Sequence, residues 1–130
     1  LHPVEWNIGE ATGALAAFYI GTGQTPKAVH SDSDTLRLFQ RDLLSDGVPL
    51  VWLIDVPVSS PDFAAVQRLA MAGGFSNSES LDFEPDATIS ADERASWIRR
   101  VEGVEATDPC GDGPTTRARF AAMMAIEGRT

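Results

Sequence analysis

Apolar residues recur at intervals of three and four along five stretches of the chain, and this spacing predicts five helices. Glycines and capping residues mark the ends of the stretches. The first is followed by Gly21 and Gly23, which suit the left-handed conformation at a helix end, and Ser90 with Glu93 matches the capping box that begins a helix. The helices are predicted from Gly9 to Ile20, from the Ser31–Ser33 run to Gly47, from Ser60 to Gly73, from Ser90 to about Val101, and from Pro114 onward.

One continuous apolar run, from Val48 to Val56, is rich in β-branched and aromatic residues and is bracketed by Pro49 and Pro57. It fits either a short buried strand or an extended connector in the core. Together with the five helices, this run predicts a mainly α protein with at most one short strand. Core positions are expected for three aromatic residues that lie within apolar patterns, Trp52, Trp97 and Phe120.

Composition narrows the classes of function. Ten basic and nineteen acidic side chains give a formal charge of -9 over 130 residues. This balance disfavours nucleic-acid binding, because phosphate contacts need clustered Lys and Arg. The densest basic group, Arg94, Arg99 and Arg100, shares its helix with carboxylates and predicts a solvated face. The longest uncharged apolar runs are too short for a membrane span, and Cys110, as the single cysteine, excludes an intrachain disulfide.

The segment most informative about chemistry lies at the start of the first predicted helix. Gly9, Gly13 and Ala17 are four positions apart, so they share one helical face and let another backbone or a flat ligand approach closely. A helix that starts after Asn7 also offers unpaired amides and a partial positive charge, which suit an anion or an oxygen that gains electron density. The alternative is a small-residue face that packs against a sheet.

The run Asn7-Ile8-Gly9-Glu10-Ala11-Thr12-Gly13, followed by an Ala-rich helix, resembles the C-terminal flavin-contacting motif of bacterial FAD-dependent oxidoreductases with a glutathione-reductase-like fold. The resemblance continues at Thr25-Pro26, Phe39-Gln40-Arg41 and Gly47-Val48-Pro49-Leu50-Val51-Trp52. It implies that the N-terminus of this helix points at the flavin and that its amides stabilise negative charge on the reduced ring. The residues implied to line the cofactor are Asn7, Ile8, Gly9, Glu10 and Gly13.

Enzymes of this kind bind the FAD pyrophosphate with a strand, a Gly-x-Gly-x-x-Gly turn and a helix, and the chain has no such unit. The resemblance therefore covers only a C-terminal portion, a helical fragment expected to complete a larger α/β FAD-binding fold. An FAD-binding domain, in cis or in trans, is the expected partner, and without it neither tight FAD binding nor turnover is expected. The chain also opens on Leu1 rather than Met, which suggests a processed or truncated product of something longer.

The second half resembles an S-layer homology repeat, so the sequence predicts a flavin-site portion at 1–56 and an S-layer-like helical module at 57–130. Working repeats of this type bind cell-wall polysaccharide through a Thr-Arg-Ala-Glu box. Here the box reads Ser90-Ala91-Asp92-Glu93 and lacks the Arg, and a second half-motif has Arg119 where the acid belongs. Glycan binding is not expected, and the module is interpreted as a structural appendage. The alternative function is a noncatalytic module that binds a protein partner or a cell-wall glycan.

Two further patterns bear on metals. Oxygen-bearing residues fill the ligand positions of a calcium loop, but Ala87 replaces the required glycine and Pro85 stiffens the loop, so no metal is predicted. Neither His2 nor His30 has a partner at metal-ligand spacing. His2 is either an exposed residue near the terminus or a proton donor beside the flavin. The residues in the calcium-loop pattern are Asp82, Glu84, Asp86, Thr88, Ser90 and Glu93.

Overall fold

A computed structural model describes residues 2–75, 80–102, 107–111 and 113–126, and these carry six helices and two short strands. The mainly helical class predicted from the sequence is confirmed. The chain divides into two compact units, Leu1–Leu50 and Val51–Thr130, here called the first and second units. The elements are α1 (His2–Thr22), α2 (Pro26–Ser31), α3 (Ser33–Ser45), α4 (Phe63–Met71), β1 (Thr88–Ile89), α5 (Ala91–Glu102), β2 (Thr115–Thr116) and α6 (Arg117–Ile126).

Helix α1 begins well before Gly9, the residue at which the sequence pattern placed its start. Pro3 suits the first helical turn, where its missing amide proton leaves no unmade bond. Glu5, also in the first turn, interacts favourably with the positive end of the helix dipole. Because α1 starts at His2, the amides of Gly9 to Gly13 lie inside the helix, where each bonds the carbonyl four residues earlier. The predicted free amides at Asn7 to Gly13 are therefore absent, a correction to the expected helix start.

Helices α2 and α3 meet at a single residue, Asp32. Its backbone amide donates to the carbonyl of Ala28 at 3.1 Å and closes α2. Its carboxylate accepts from the amide of Thr35 at 2.9 Å, and also from the Thr35 hydroxyl, and so caps α3. These hydrogen bonds from Thr35 lower the pKa of Asp32. The sequence pattern missed α2, because Pro26 was interpreted only as the end of the first helix and not as the first residue of another.

The core of the first unit lies where α1 packs on α3. Four residues are buried there, and the aromatic rings of Phe18 on α1 and Phe39 on α3 meet edge to face at 5.3 Å. After α3, Gly47 adopts a φ of 79°, and the amide of Val48 donates to the carbonyl of Leu43 at 2.9 Å, which turns Val48 into the core. The buried residues are Val29, Phe39, Leu43 and Val48, with Ala11, Ala14, Leu15, Phe18, Leu36 and Leu50 packed against them.

The second unit is built around an aromatic cluster. The ring centroid of Trp97 on α5 lies 5.8 Å from that of Phe120 on α6. It lies 5.9 Å from the ring centroids of Phe75 and Phe83. The predicted core positions of Trp97 and Phe120 are confirmed, since both side chains are buried. The same prediction for Trp52 is wrong, because that side chain is 46% exposed.

The apolar run from Val48 to Val56, all of which the structure describes, forms neither helix nor strand. Instead, the side chain of Gln67 on α4 makes the two backbone hydrogen bonds at Val51 that a neighbouring strand would make. Its Oε1 accepts from the amide of Val51 at 2.7 Å, and its Nε2 donates to the carbonyl of Val51 at 2.8 Å. The short strands are elsewhere: β1 and β2 pair antiparallel, with Thr88 opposite Thr116.

Gly74 is a position where the second unit requires glycine. A Cβ at Gly74 would lie 3.0 Å from Cγ of the buried Leu69 and 3.2 Å from its carbonyl oxygen. We expect Gly74→Ala to lower the free energy of unfolding by about 2 kcal/mol, because the added methyl overpacks the core. Urea titration followed by circular dichroism measures the change. Gly113→Ala is the matched control, since a Cβ there meets nothing within 4 Å; equal losses for both variants would contradict the packing argument.

Candidate functional site

Helix α1 has two different sides. The side that packs on the first unit's core carries Ala11, Ala14, Leu15 and Phe18. At 3.6 residues per turn, the opposite side carries Gly9, Gly13, Ala16 and Ile20, with Trp6 at its edge. All five of these residues are exposed. We call this set the outward face of α1.

The structure places the five residues expected to line the cofactor on different sides of α1. Gly9 and Gly13 lie together on the outward face. Ile8 and Glu10 are exposed and project to the two flanks of the helix. Asn7 is half-buried on the inner side, one turn before Ala11, and its Nδ2 donates to the carbonyl of Pro49 at 3.2 Å. The two glycines are therefore brought together, and Asn7 is separated from them.

The outward face is not filled by the chain's own described residues. A Cβ built at Gly9 or at Gly13 meets no heavy atom within 4 Å beyond the helix backbone. Glycine inside a helix costs roughly 0.5–1 kcal/mol relative to alanine, since it loses more conformational freedom on folding. Packing among the described residues does not account for this cost. The two glycines thus leave the helix backbone accessible on this face.

Large apolar side chains surround the same face. Trp6 is 77% exposed and Ile20 is 82% exposed, and α1 has no buried residue. The helix has no Lys or Arg, and its acidic residues are Glu5 and Glu10. A surface helix normally collects its apolar residues on the buried side, whereas α1 also exposes large apolar side chains. None of the described helices is long and apolar enough to cross a membrane.

In the second unit, the charged residues of the S-layer-like motifs bond to one another. Arg117 donates to the carboxylate of Glu84 at 2.6 Å and to that of Glu93 at 2.9 Å, and its guanidinium lies 6.0 Å from the Trp97 ring. The amide of Glu93 donates to the Ser90 hydroxyl at 3.2 Å, which is one half of the predicted capping box. The Glu93 carboxylate, which would complete the box, is instead directed to Arg117.

The loop with the calcium-like pattern is held by protein groups. Asp55 accepts from the amide of Phe83 at 2.8 Å and from the amide of Glu84 at 2.6 Å, where Glu84 has a φ of 56°. Arg117 engages the Glu84 carboxylate from the other side. Within the described ranges, no three His, Cys, Asp or Glu side chains come together in a way that could hold a metal ion.

The solvated face predicted for the arginines of α5 is wrong for Arg94, which is 5% exposed. Its Nε donates to Asp108 at 2.6 Å, and its other nitrogens donate to the carbonyls of Gly111 at 3.0 Å and Gly113 at 3.4 Å. Arg94 therefore holds the loop before β2. A signal was present in the sequence, because Arg94 falls at helical spacing with the apolar stripe that contains Trp97.

Cys110 lies in the loop that Arg94 holds. Its amide donates to Asp108 at 2.8 Å, and its Sγ lies 3.3 Å from Sδ of Met123. Burial raises the pKa of the Cys110 thiol, and the nearby charge of Asp108 raises it further. Because the thiolate is the reactive form, this environment does not favour a nucleophilic role for the residue.

Comparison of the chain with protein-family models, with curated proteins and with solved structures finds no match. The resemblances to an FAD-dependent oxidoreductase and to an S-layer repeat are therefore carried by the sequence motifs quoted above.

Proposed function

We propose that this chain is the C-terminal part of an FAD-dependent oxidoreductase, in which the outward face of α1 lies against the flavin. The observation that carries the proposal is the open space at Gly9 and Gly13 on an exposed apolar helix. A face without side chains lets a flat ring approach the helix backbone closely. The exposed Trp6 and Ile20 extend the same face with apolar surface.

The position of the helix start changes the chemistry expected from the sequence. The amides left free at the start of α1 include those of His2 and Val4, since Pro3 has no N–H, and those of Gly9 to Gly13 bond within the helix. In this proposal Gly9 and Gly13 provide close approach, and positive charge comes from the first turn of α1. Glu10 lies at the flank, so its carboxylate is turned away from the centre of the outward face.

Flavin, when bound, supplies hydride transfer. This chain contributes one surface of the site and lacks the Gly-x-Gly-x-x-Gly unit that holds the pyrophosphate. An FAD-binding domain, in cis or in trans, completes the site in this proposal. On its own the chain is expected neither to hold FAD tightly nor to turn over substrate.

The second unit is proposed as a structural appendage. Support comes from Arg117, which forms ion pairs with the carboxylates of both Glu84 and Glu93 within the unit. Charged groups that are paired in this way are not available to a saccharide without breaking those pairs. No contact of the described residues favours the alternative of a glycan-binding module.

The test uses the product of the natural gene that contains these residues, purified through an affinity tag at its C-terminus together with any bound partner chain. We expect the visible absorption bands of a flavin in the wild-type preparation. We expect Gly13→Leu to weaken flavin binding at least about tenfold, a loss of about 1.4 kcal/mol, because the added side chain fills the space the ring needs. Flavin released by dialysis and measured by absorbance gives the affinity.

Gly21→Leu is the matched control. A Cβ at Gly21 also meets nothing within 4 Å, but Gly21 lies in the last turn of α1, about 12 Å along the helix axis from Gly13. Both variants replace helical glycine, so neither is expected to destabilise the 130-residue chain. A colourless wild-type preparation, or a Gly13→Leu protein with unchanged flavin affinity, would refute the proposed function.

A further inference from the structure

One hydrogen bond fixes the N-terminal half of α1 against the rest of the first unit. The Nδ2 of Asn7 donates to the carbonyl of Pro49 at 3.2 Å, and the two residues are 42 positions apart in the sequence. Pro49 is itself well fixed, because Val48 before it is buried in the core and bonds to the carbonyl of Leu43. The bond therefore ties the start of α1 to the end of α3.

A second attachment lies in the C-terminal half of the helix, where Phe18 meets Phe39 at 5.3 Å. Asn7 and Phe18 are about 16 Å apart along the axis of α1. Between them, the inner side of the helix packs through the small side chains of Ala11 and Ala14 and through Leu15. Gly9 and Gly13 lie between the two attachments on the opposite side. The placement of both glycines thus depends on Asn7 at one end and Phe18 at the other.

We propose that Asn7 is a positioning residue, which sets the outward face of α1 through its bond to Pro49 and does not touch the flavin. This inference rests on the proposed function and assigns Asn7 a role different from that implied by the sequence motif. The geometry supports it, because Asn7 lies on the inner side of α1, and its amide donates to a carbonyl of the same unit. Loss of this bond would leave residues 2–10, of which all but Asn7 are exposed, without the attachment to Pro49.

The first arm of the test measures hydrogen exchange in the 130-residue chain by NMR. Asn7→Asp keeps the size of the side chain but replaces the donor with a carboxylate that faces a carbonyl oxygen. We expect Asn7→Asp and Asn7→Ala to raise the exchange rates of the amides of residues 8–13 about tenfold, the factor expected for one hydrogen bond. The amides of residues 18–20, beyond the Phe18 attachment, are expected to change less than twofold. Asn7→Gln keeps the amide donor and is expected to recover part of the protection.

The second arm measures flavin affinity in the tagged natural protein. Asn7→Asp and Asn7→Ala are expected to weaken flavin binding about tenfold. Asp32→Ala removes the α3 cap and destabilises the same unit without touching α1. It is expected to leave flavin affinity unchanged, which separates positioning from general loss of stability.

The outcomes are distinct. Unchanged exchange with weakened flavin binding would overturn the proposal in favour of a direct contact between Asn7 and the flavin. Faster amide exchange in the Asn7 variants together with unchanged flavin affinity would overturn the proposal as well. The position of α1 would then not affect flavin binding. A wild-type protein without flavin refutes the proposed function, whereas the exchange arm still shows whether Asn7 fixes α1.

Discussion

Asp108→Ala is expected to lower the free energy of unfolding of the second unit by about 3 kcal/mol. The reason is that the substitution leaves the buried guanidinium of Arg94 without its carboxylate, which it meets at 2.6 Å. It also removes the acceptor for the amide of Cys110. Removing one partner of a buried pair costs more than the pair itself contributes, because the remaining charge stays in a poorly solvated place. Urea unfolding followed by circular dichroism gives the change.

The control for this prediction is the exposed pair formed by Asp34 and Arg37, whose nearest atoms are 4.0 Å apart. Exposed ion pairs contribute little, because water solvates each charge in the absence of the other. Arg37→Ala is therefore expected to leave the unfolding free energy unchanged within the error of the measurement. If Asp108→Ala were equally neutral, Arg94 would have to be solvated in the folded chain, contrary to its burial.

Phe120→Ala is expected to lower the free energy of unfolding by about 4 kcal/mol. Phe120 is 0% exposed and packs against Trp97 with the ring centroids 5.8 Å apart. The truncation removes apolar contacts and leaves a cavity between α5 and α6 that the surrounding helices cannot fill without moving. Urea unfolding of the chain, with Trp97 as a fluorescent reporter, measures the loss.

Trp52→Ala is the matched control for Phe120→Ala. It removes an even larger aromatic side chain, but one that is 46% exposed. We expect its cost to be less than a third of that of Phe120→Ala, because much of its surface already contacts water. Equal costs would show that Trp52 is buried in the folded protein, as the sequence pattern predicted.

Helical periodicity predicts a helix well where its apolar residues lie on one side and its polar residues on the other. Helix α3 follows its stripe of Phe39, Leu43 and Leu44, and α5 follows Trp97 and Ile98. The pattern was a poor guide to α1, because its polar residues are spread around the helix and form no polar face that marks its limits. Its start was placed at Gly9, but the helix begins at His2.

Contacts between residues far apart in the sequence could not be predicted. Arg94 belongs by spacing to the buried stripe of α5, but its burial depends on Asp108, fourteen positions later. A charged residue is normally exposed unless such a partner exists, and spacing alone does not reveal the partner. The same holds for the bond from Asn7 to Pro49, whose residues are 42 positions apart.

The glycines of the candidate site were found from their four-residue spacing, which fixes a common face on any helix. Spacing does not show whether that face packs inside the chain or is open. The structure supplies this information, because nothing among the described residues lies within 4 Å of the Cβ positions at Gly9 and Gly13.

The bonds between Gln67 and Val51 have a consequence for solubility. Residues 50–54, which contain no proline or charge, have the apolar and aromatic composition of segments that join intermolecular sheets and nucleate amyloid. A strand from a second molecule would bind the backbone amide and carbonyl of Val51. Both groups already bond to the carboxamide of Gln67. The side chain of Gln67 on α4 thus protects this segment from pairing with a second copy of itself. In sheets, charged residues or prolines at the edge strands more often give this protection.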